Sequence, residues 1–255
     1  MKRTSAELKR LSRENLIGHW GLAIGASLLT SLIVFALLMP FYLLFFVTGG
    51  GMVQFMTYLL AILIIGMVSV ILQCGISRMY LGFSRKQGAE IGMLFGEFKR
   101  RPDRYLLGCL IIYGISFACI LPGYLCWIVG IVGGGILASL IGAILYLIGV
   151  IVLVMICLCY SMAFFFLVDY PQMNTLEALR QSAKVMNGNK GRLFYIYLSF
   201  IGWYILGILS CGIGMIWISP YMNQTYVNFY LDITGEFDRM QTMSFSQEQD
   251  FGNMI

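Results

Sequence analysis

Three groups of residues have types and spacings that could do chemistry. The run Asn187-Gly188-Asn189-Lys190-Gly191-Arg192 sets two cations among glycines and amides. Backbone N–H groups of such a turn, with Lys190 and Arg192, can hold a lipid phosphate, Asn187 and Gly188 shaping the loop. The spacing is not that of a P-loop, and the plainer reading is a helix stop followed by a cationic loop. Further on, Asn223, Gln224, Thr225, Tyr226 and Asn228 crowd one otherwise apolar segment. They either line a polar cavity or bond between helices, the commoner role of such groups in a membrane. The third group is the sparse set a catalyst would need. His19 is the single histidine and lies beside Trp20, where it reads as an interfacial anchor. Asp169 precedes Tyr170-Pro171, a pattern that ends a helix and fixes a turn. No nucleophile–base pair can be assembled from these positions, so no enzyme activity is expected. The seven cysteines include no C-x-x-C pair, so neither a metal nor another cofactor is expected, and the thiols read as small packing groups.

The elements that must position these residues follow from where charge is missing. Hydrophobic residues make up 59% of the chain and charged ones 11%, against roughly 25% charged in a soluble domain. No Asp, Glu, Lys, Arg or His occurs from Trp20 to Ser77, from Tyr105 to Val168 or from Leu193 to Leu231, runs of 58, 64 and 39 residues. One membrane crossing takes about 20 apolar residues, so each run has room for more than one helix. Backbone groups in hydrocarbon must pair within the segment, which leaves helices or closed barrels. A barrel would alternate apolar and polar residues over about ten positions, and these runs are apolar on every side. The fold class is therefore all-α, a polytopic transmembrane helical bundle. The long polar lead-in of residues 1–19 and the missing cleavage site argue against a signal peptide.

Sixteen of the seventeen Lys and Arg residues fall in three clusters, within 2–13, 78–104 and 180–192. Loops rich in Lys and Arg remain in the cytoplasm, so an even number of spans should separate the clusters. Six spans satisfy this, near 20–47, 53–77, 105–130, 136–167, 193–211 and 214–231, with Gly49-Gly50-Gly51 and Gly133-Gly134-Gly135 as outer turns. The N-terminus is then cytoplasmic. Five spans are the alternative, because the last segment is unusually polar. Each basic cluster also reads as an amphipathic helix lying on the inner membrane surface, near 4–17, 87–101 and 174–187. Thr4-Ser5-Ala6-Glu7 is a capping-box pattern. Ile91, Leu94, Phe95 and Phe98 keep helical spacing, and Leu176, Leu179, Ala183 and Met186 share a face. Residues 1–231 form a single membrane domain in this reading, and 232–255 a polar acidic tail.

Particular residues also carry a resemblance. Asp169-Tyr170-Pro171, Glu177-Ala178-Leu179 with Ser182, Met186-Asn187-Gly188, Leu198-Ser199-Phe200-Ile201-Gly202-Trp203 and Pro220-Tyr221 with Thr225 and Phe229-Tyr230 make up the pattern. It resembles the domain-of-unknown-function 975 family, bacterial multi-span membrane proteins found mainly in Gram-positive species. The resemblance implies a plasma-membrane protein and supplies no activity or ligand. The residues themselves favour a non-catalytic accessory or scaffold protein that binds lipid or a partner. Its partners would be membrane lipids with anionic headgroups on the cytoplasmic face, and a protein partner or a second copy of the chain, with no nucleic acid. A carrier or flippase for an amphipathic small molecule, lipid or peptide is the alternative, and an intramembrane enzyme comes third.

Overall fold

The computed structural model describes residues 3–133 and 135–240, and within them every regular element longer than a turn is helical. In chain order the helices are α1 (Ser5–Leu16), α2 (Trp20–Val47), α3 (Met52–Ser84), α4 (Met93–Gly96), α5 (Asp103–Val132), α6 (Ile136–Tyr160), α7 (Ala163–Asp169), α8 (Thr175–Met186), α9 (Lys190–Leu209) and α10 (Met215–Ile233). Five stretches are long and apolar enough to cross a membrane: α2, α3, α5, α6 continued through α7, and α9. The helix α10 is as long as α9 to within one residue, but its polar groups keep it out of that set. The chain divides into two compact units, residues 1–102 with 191–255, and residues 103–190. The second is therefore inserted into the sequence of the first, where the sequence reading has one continuous domain.

In the first unit, α1 begins on the expected capping box. Thr4 Oγ1 accepts the Glu7 N–H at 3.3 Å, and Glu7 Oε2 accepts the Thr4 N–H at 2.7 Å. That backbone hydrogen bond holds the Glu7 carboxyl below its ordinary pKa. The helices α2 and α3 form a hairpin whose turn uses Gly49 and Gly50 at φ +77° and +69°, a region glycine enters without strain. The helix α10 packs on α1, α2 and α3. The segment 87–101 departs from expectation: only Met93–Gly96 is α-helical. Gly88, Gly92 and Gly96 each weaken a helix by about 1 kcal/mol relative to alanine, and one short turn survives. It is held by close approach, since a side-chain carbon added at Gly75 of α3 would fall on the Leu94 main chain. Arg78 then closes the contact on buried Glu97 at 2.7 Å.

The second unit is built on the α5–α6 hairpin. Gly123 and Gly130 of α5 face the α6 main chain, and Gly142 and Gly149 of α6 face the α5 main chain, so closely that no side chain could be added at any of them without displacing backbone. Close approach of small residues replaces the hydrophobic effect as the force between helices in lipid. Gly134 of the expected outer turn lies outside the described residues. The expected span 136–167 breaks at residues 161–162 between α6 and α7. There the Met162 N–H is taken by Ser182 Oγ of α8 at 3.2 Å, and the same hydroxyl donates to Cys159 O at 2.8 Å. The buried face of α8 is accordingly Thr175, Ala178, Leu179, Ser182 and Met186, with Leu176 exposed, a rotation from the face read by hydropathy. Arg104 closes the unit from α5: Nη1 donates to Met173 O at 3.0 Å and to Tyr170 O at 3.4 Å, while its own carbonyl accepts from Thr175 Oγ1 at 3.0 Å. Tyr170 caps the C-terminus of α7, the negative end of a helix dipole. Arg104→Gln is expected to lower the stability of this unit by about 2 kcal/mol, the worth of a charged donor at buried carbonyls. An unchanged melting profile of the purified variant would refute that role.

Candidate functional site

The polar residues of α10 leave the helix in different directions. Gln224 and Asn228 are one helical turn apart, so they share the face that meets α1 and the end of α3. Both are fully buried. Asn228 Oδ1 accepts from Ser84 Oγ at 2.8 Å, and from Asn15 Nδ2 and Gln224 Nε2 at 3.2 Å each. Its Nδ2 donates to Ser12 Oγ at 2.9 Å, and Ser12 in turn donates to Leu8 O at 2.7 Å. Gln224 Nε2 also reaches Ser84 Oγ at 2.6 Å. The others lie elsewhere. Asn223 accepts from Gln73 of α3 at 3.2 Å, Thr225 donates to Tyr221 O within its own helix at 2.8 Å, and the Tyr226 ring sits 5.0 Å from that of Tyr197 on α9. The set read as a cavity lining is thus a cross-helix network plus three separate contacts. Its partners on α1 are Leu8, Ser12 and Asn15, and Leu8, Ser12 and Leu16 form the buried stripe of that helix. A network of amides and hydroxyls contains no base and no nucleophile poised beside one.

Charge gathers at the same end of the first unit. Asp232, at the close of α10, has a side chain 1% exposed and binds two arginines. Arg192 Nη2 donates to Asp232 Oδ2 at 2.7 Å and to Arg3 O at 2.6 Å. Arg3 Nη1 donates to Asp232 Oδ1 at 3.1 Å and approaches exposed Asp238 at 3.3 Å. Arg85 grips Glu236 with two bonds, 2.6 and 2.8 Å. The start of the acidic tail is therefore bound, which the reading from residue 232 onward as a tail did not foresee; residues 241–255 lie outside the described residues. Nearby, Lys9 donates to Ser199 O at 3.2 Å and stands 4.2 Å from the centre of the Phe200 ring, and burial pushes its ammonium pKa down.

The residues read as phosphate ligands have separate local roles. Asn187 caps α8 with its N–H on Lys184 O, and Gly188 takes φ +76° to end that helix. Lys190 opens α9 and is half-buried, while Arg192 turns to Asp232. Arg3 and Asp232 are the members that sequence reasoning missed. Asp232 had a signal: it and Arg192 bracket the 39-residue uncharged run, and a hairpin of two helices brings its own ends together. His19 stacks on Phe83 with ring centres 4.7 Å apart, and Asp169 ends α7. Among the described residues no group of three or more His, Cys, Asp or Glu side chains could hold a metal ion. The cysteines there are free thiols, Cys74 and Cys109 buried and Cys126, Cys157 and Cys211 exposed.

Neither the curated proteins nor the solved structures include a match to this chain. A family model does match, described as a protein of unknown function, DUF975, and it spans residues 1–236. The ten helices among the described residues all fall inside that stretch, and the chain belongs to the DUF975 family.

Proposed function

We propose that this chain is a non-catalytic accessory protein of the bacterial plasma membrane that binds lipid or a partner. The N-terminus and the basic clusters face the cytoplasm, and the exposed Lys and Arg residues there, such as Arg13, Lys86, Lys99 and Arg180, meet anionic headgroups, each contributing about 1 kcal/mol. Six helices cross, with α10 as the last. The Arg192–Asp232 pair supports this, because it ties the start of α9 to the end of α10 and so returns α10 to the level at which α9 began. Twenty residues rise about 30 Å, close to the thickness of the hydrocarbon core.

The observation that carries the reading is the burial of Gln224 and Asn228 in side-chain hydrogen bonds. A carrier would need such groups to meet cargo and water, whereas here they fasten α1 to α3 and α10. Thiol accessibility tests this without knowledge of any ligand. Ser12→Cys and Ser84→Cys place near-isosteric thiols in the network, and Ile17→Cys places one on the exposed end of α1. Peptide mass spectrometry after treatment of the detergent-purified protein with a polar, charged maleimide should find position 17 modified and positions 12 and 84 untouched. Modification of either buried thiol in folded protein would favour the carrier. Lipid retained by the purified protein should be enriched in anionic over zwitterionic headgroups, and an unenriched set would remove the lipid-binding part.

A further inference from the structure

Between the first turns of α1 and α9 lies a cavity of about 300 Å³, at the small end of the range for ligand pockets, roughly 300–1,000 Å³. One end is polar, with Arg3, Ser5, Gly191 and Arg192; the other is apolar, with Leu8 and Ile196. We propose that this cavity binds the phosphate of a membrane phospholipid, its glycerol end resting on the apolar floor. This rests on the lipid-binding reading above and names one site within it.

Three features converge. Asp232 binds Arg3 and Arg192 from one side, at 3.1 and 2.7 Å, so both guanidinium groups are fixed before any ligand arrives. Asp238, which also approaches Arg3, is 51% exposed, and water screens it. Glu7 is occupied by the Thr4 amide and lines a neighbouring cavity with Arg10 and Phe237. The N-terminus of α9, a helix of 20 residues, adds its positive end, whereas that of α1 is met by its own capping box. At Gly191 an added side-chain carbon would meet nothing within 4 Å, so the α9 main chain is open to a ligand there. Depth agrees with chemistry. The helix α9 is long and apolar enough to cross a membrane, and a crossing that begins at Lys190 sets its first turns, with Arg192, at headgroup level and Ile196 deeper.

The test is native mass spectrometry of the full chain in detergent, titrated with dihexanoyl phosphatidylglycerol, sn-glycerol phosphate and inorganic phosphate. Ser5→Glu sets a carboxylate at the cavity mouth, at a first-turn position where negative charge favours the helix. Gly191→Leu fills the same space with a better helix former. Each should weaken binding of the short-chain lipid at least about tenfold with no loss of thermal stability, while Gln87→Glu, an added carboxylate at an exposed position outside this cavity, should leave it unchanged. The two soluble phosphates should bind more weakly than the lipid. Equal binding of glycerol phosphate would overturn the lipid assignment in favour of a soluble phosphate. Lipid binding unchanged in both cavity variants would overturn the site, yet leave the anionic enrichment of retained lipid standing. Loss of that enrichment in the natural protein would remove the broader reading as well.

Discussion

Replacing Arg192 by leucine is expected to destabilise the first unit by about 3 kcal/mol, because it strips a buried carboxylate of one of its two cations. The Asp232 side chain is 1% exposed, and Arg192 supplies its shorter bond, 2.7 Å against 3.1 Å from Arg3. The same Arg192 nitrogen also satisfies the Arg3 carbonyl, so the first residues of the chain lose an anchor together with the end of α10. The figure sits at the lower end for a broken buried pair, since Arg192 is 26% exposed and Arg3 remains. In a chain of this size such a loss lowers the melting temperature by about 6–12 °C. A second substitution, Asp232→Leu, should restore most of it, because an apolar pair fills the site without a desolvated charge. A single variant as stable as the natural protein, or a double variant no better than the single, would show that the pair does not hold this end together.

Gly142→Val should act on the second unit with comparable force. Any side chain at Gly142 meets the main chain at Trp127, and main chain cannot rotate aside as a side chain can. The α5–α6 hairpin must then part along its length, losing the contacts at Gly123, Gly130 and Gly149 as well. Overpacking of this kind costs about 3 kcal/mol. Gly114→Ala is the informative companion. That glycine has open space around it, and alanine improves a helix by about 1 kcal/mol. Melting of the two purified variants in the same detergent should therefore shift in opposite directions. If Gly142→Val melts where Gly114→Ala does, the hairpin is not held by glycine contact.

Much of the helical framework is legible in the chain because hydrocarbon leaves so few alternatives. The three uncharged runs, the glycines at 49–50 and the capping box at Thr4 each carry a local physical signal, and each lies where that signal places it. All but one of the departures share a cause: polar groups acting across helices rather than along them. Hydropathy counts Ser182 and Thr175 as polar and so rotates the face of α8 toward Leu176, keeping Leu179 and Met186, although both hydroxyls are buried on main-chain partners of the second unit. The spacing of Ile91, Leu94, Phe95 and Phe98 is helical, but Gly88, Gly92 and Gly96 withdraw the backbone preference that the spacing assumes. At the candidate site, Asn223 to Asn228 stand out as a polar set, yet their partners Ser12, Asn15 and Ser84 lie more than 130 residues away. No periodicity within one segment reports a contact of that range. Arg192 is visible as a cation, whereas the carboxylate that directs it becomes visible only when the last two helices are closed into a hairpin.

The docking of α1 onto α10 also sets an order of events at the ribosome. Arg3, Leu8, Ser12 and Asn15 emerge first, but their partners, Asp232 for Arg3 and Asn228 for the other three, are added more than 210 residues later. At about 5–20 residues per second this is a delay of roughly 10–40 s. Throughout it the second unit, whose sequence is continuous from 103 to 190, can complete itself. The first helix has to wait, and its basic faces give it a resting place on anionic lipid until the last helix arrives. A chain shortened before residue 228 keeps every long apolar helix but lacks the partner for its own beginning, so its α1 is the segment that quality-control proteases would meet first.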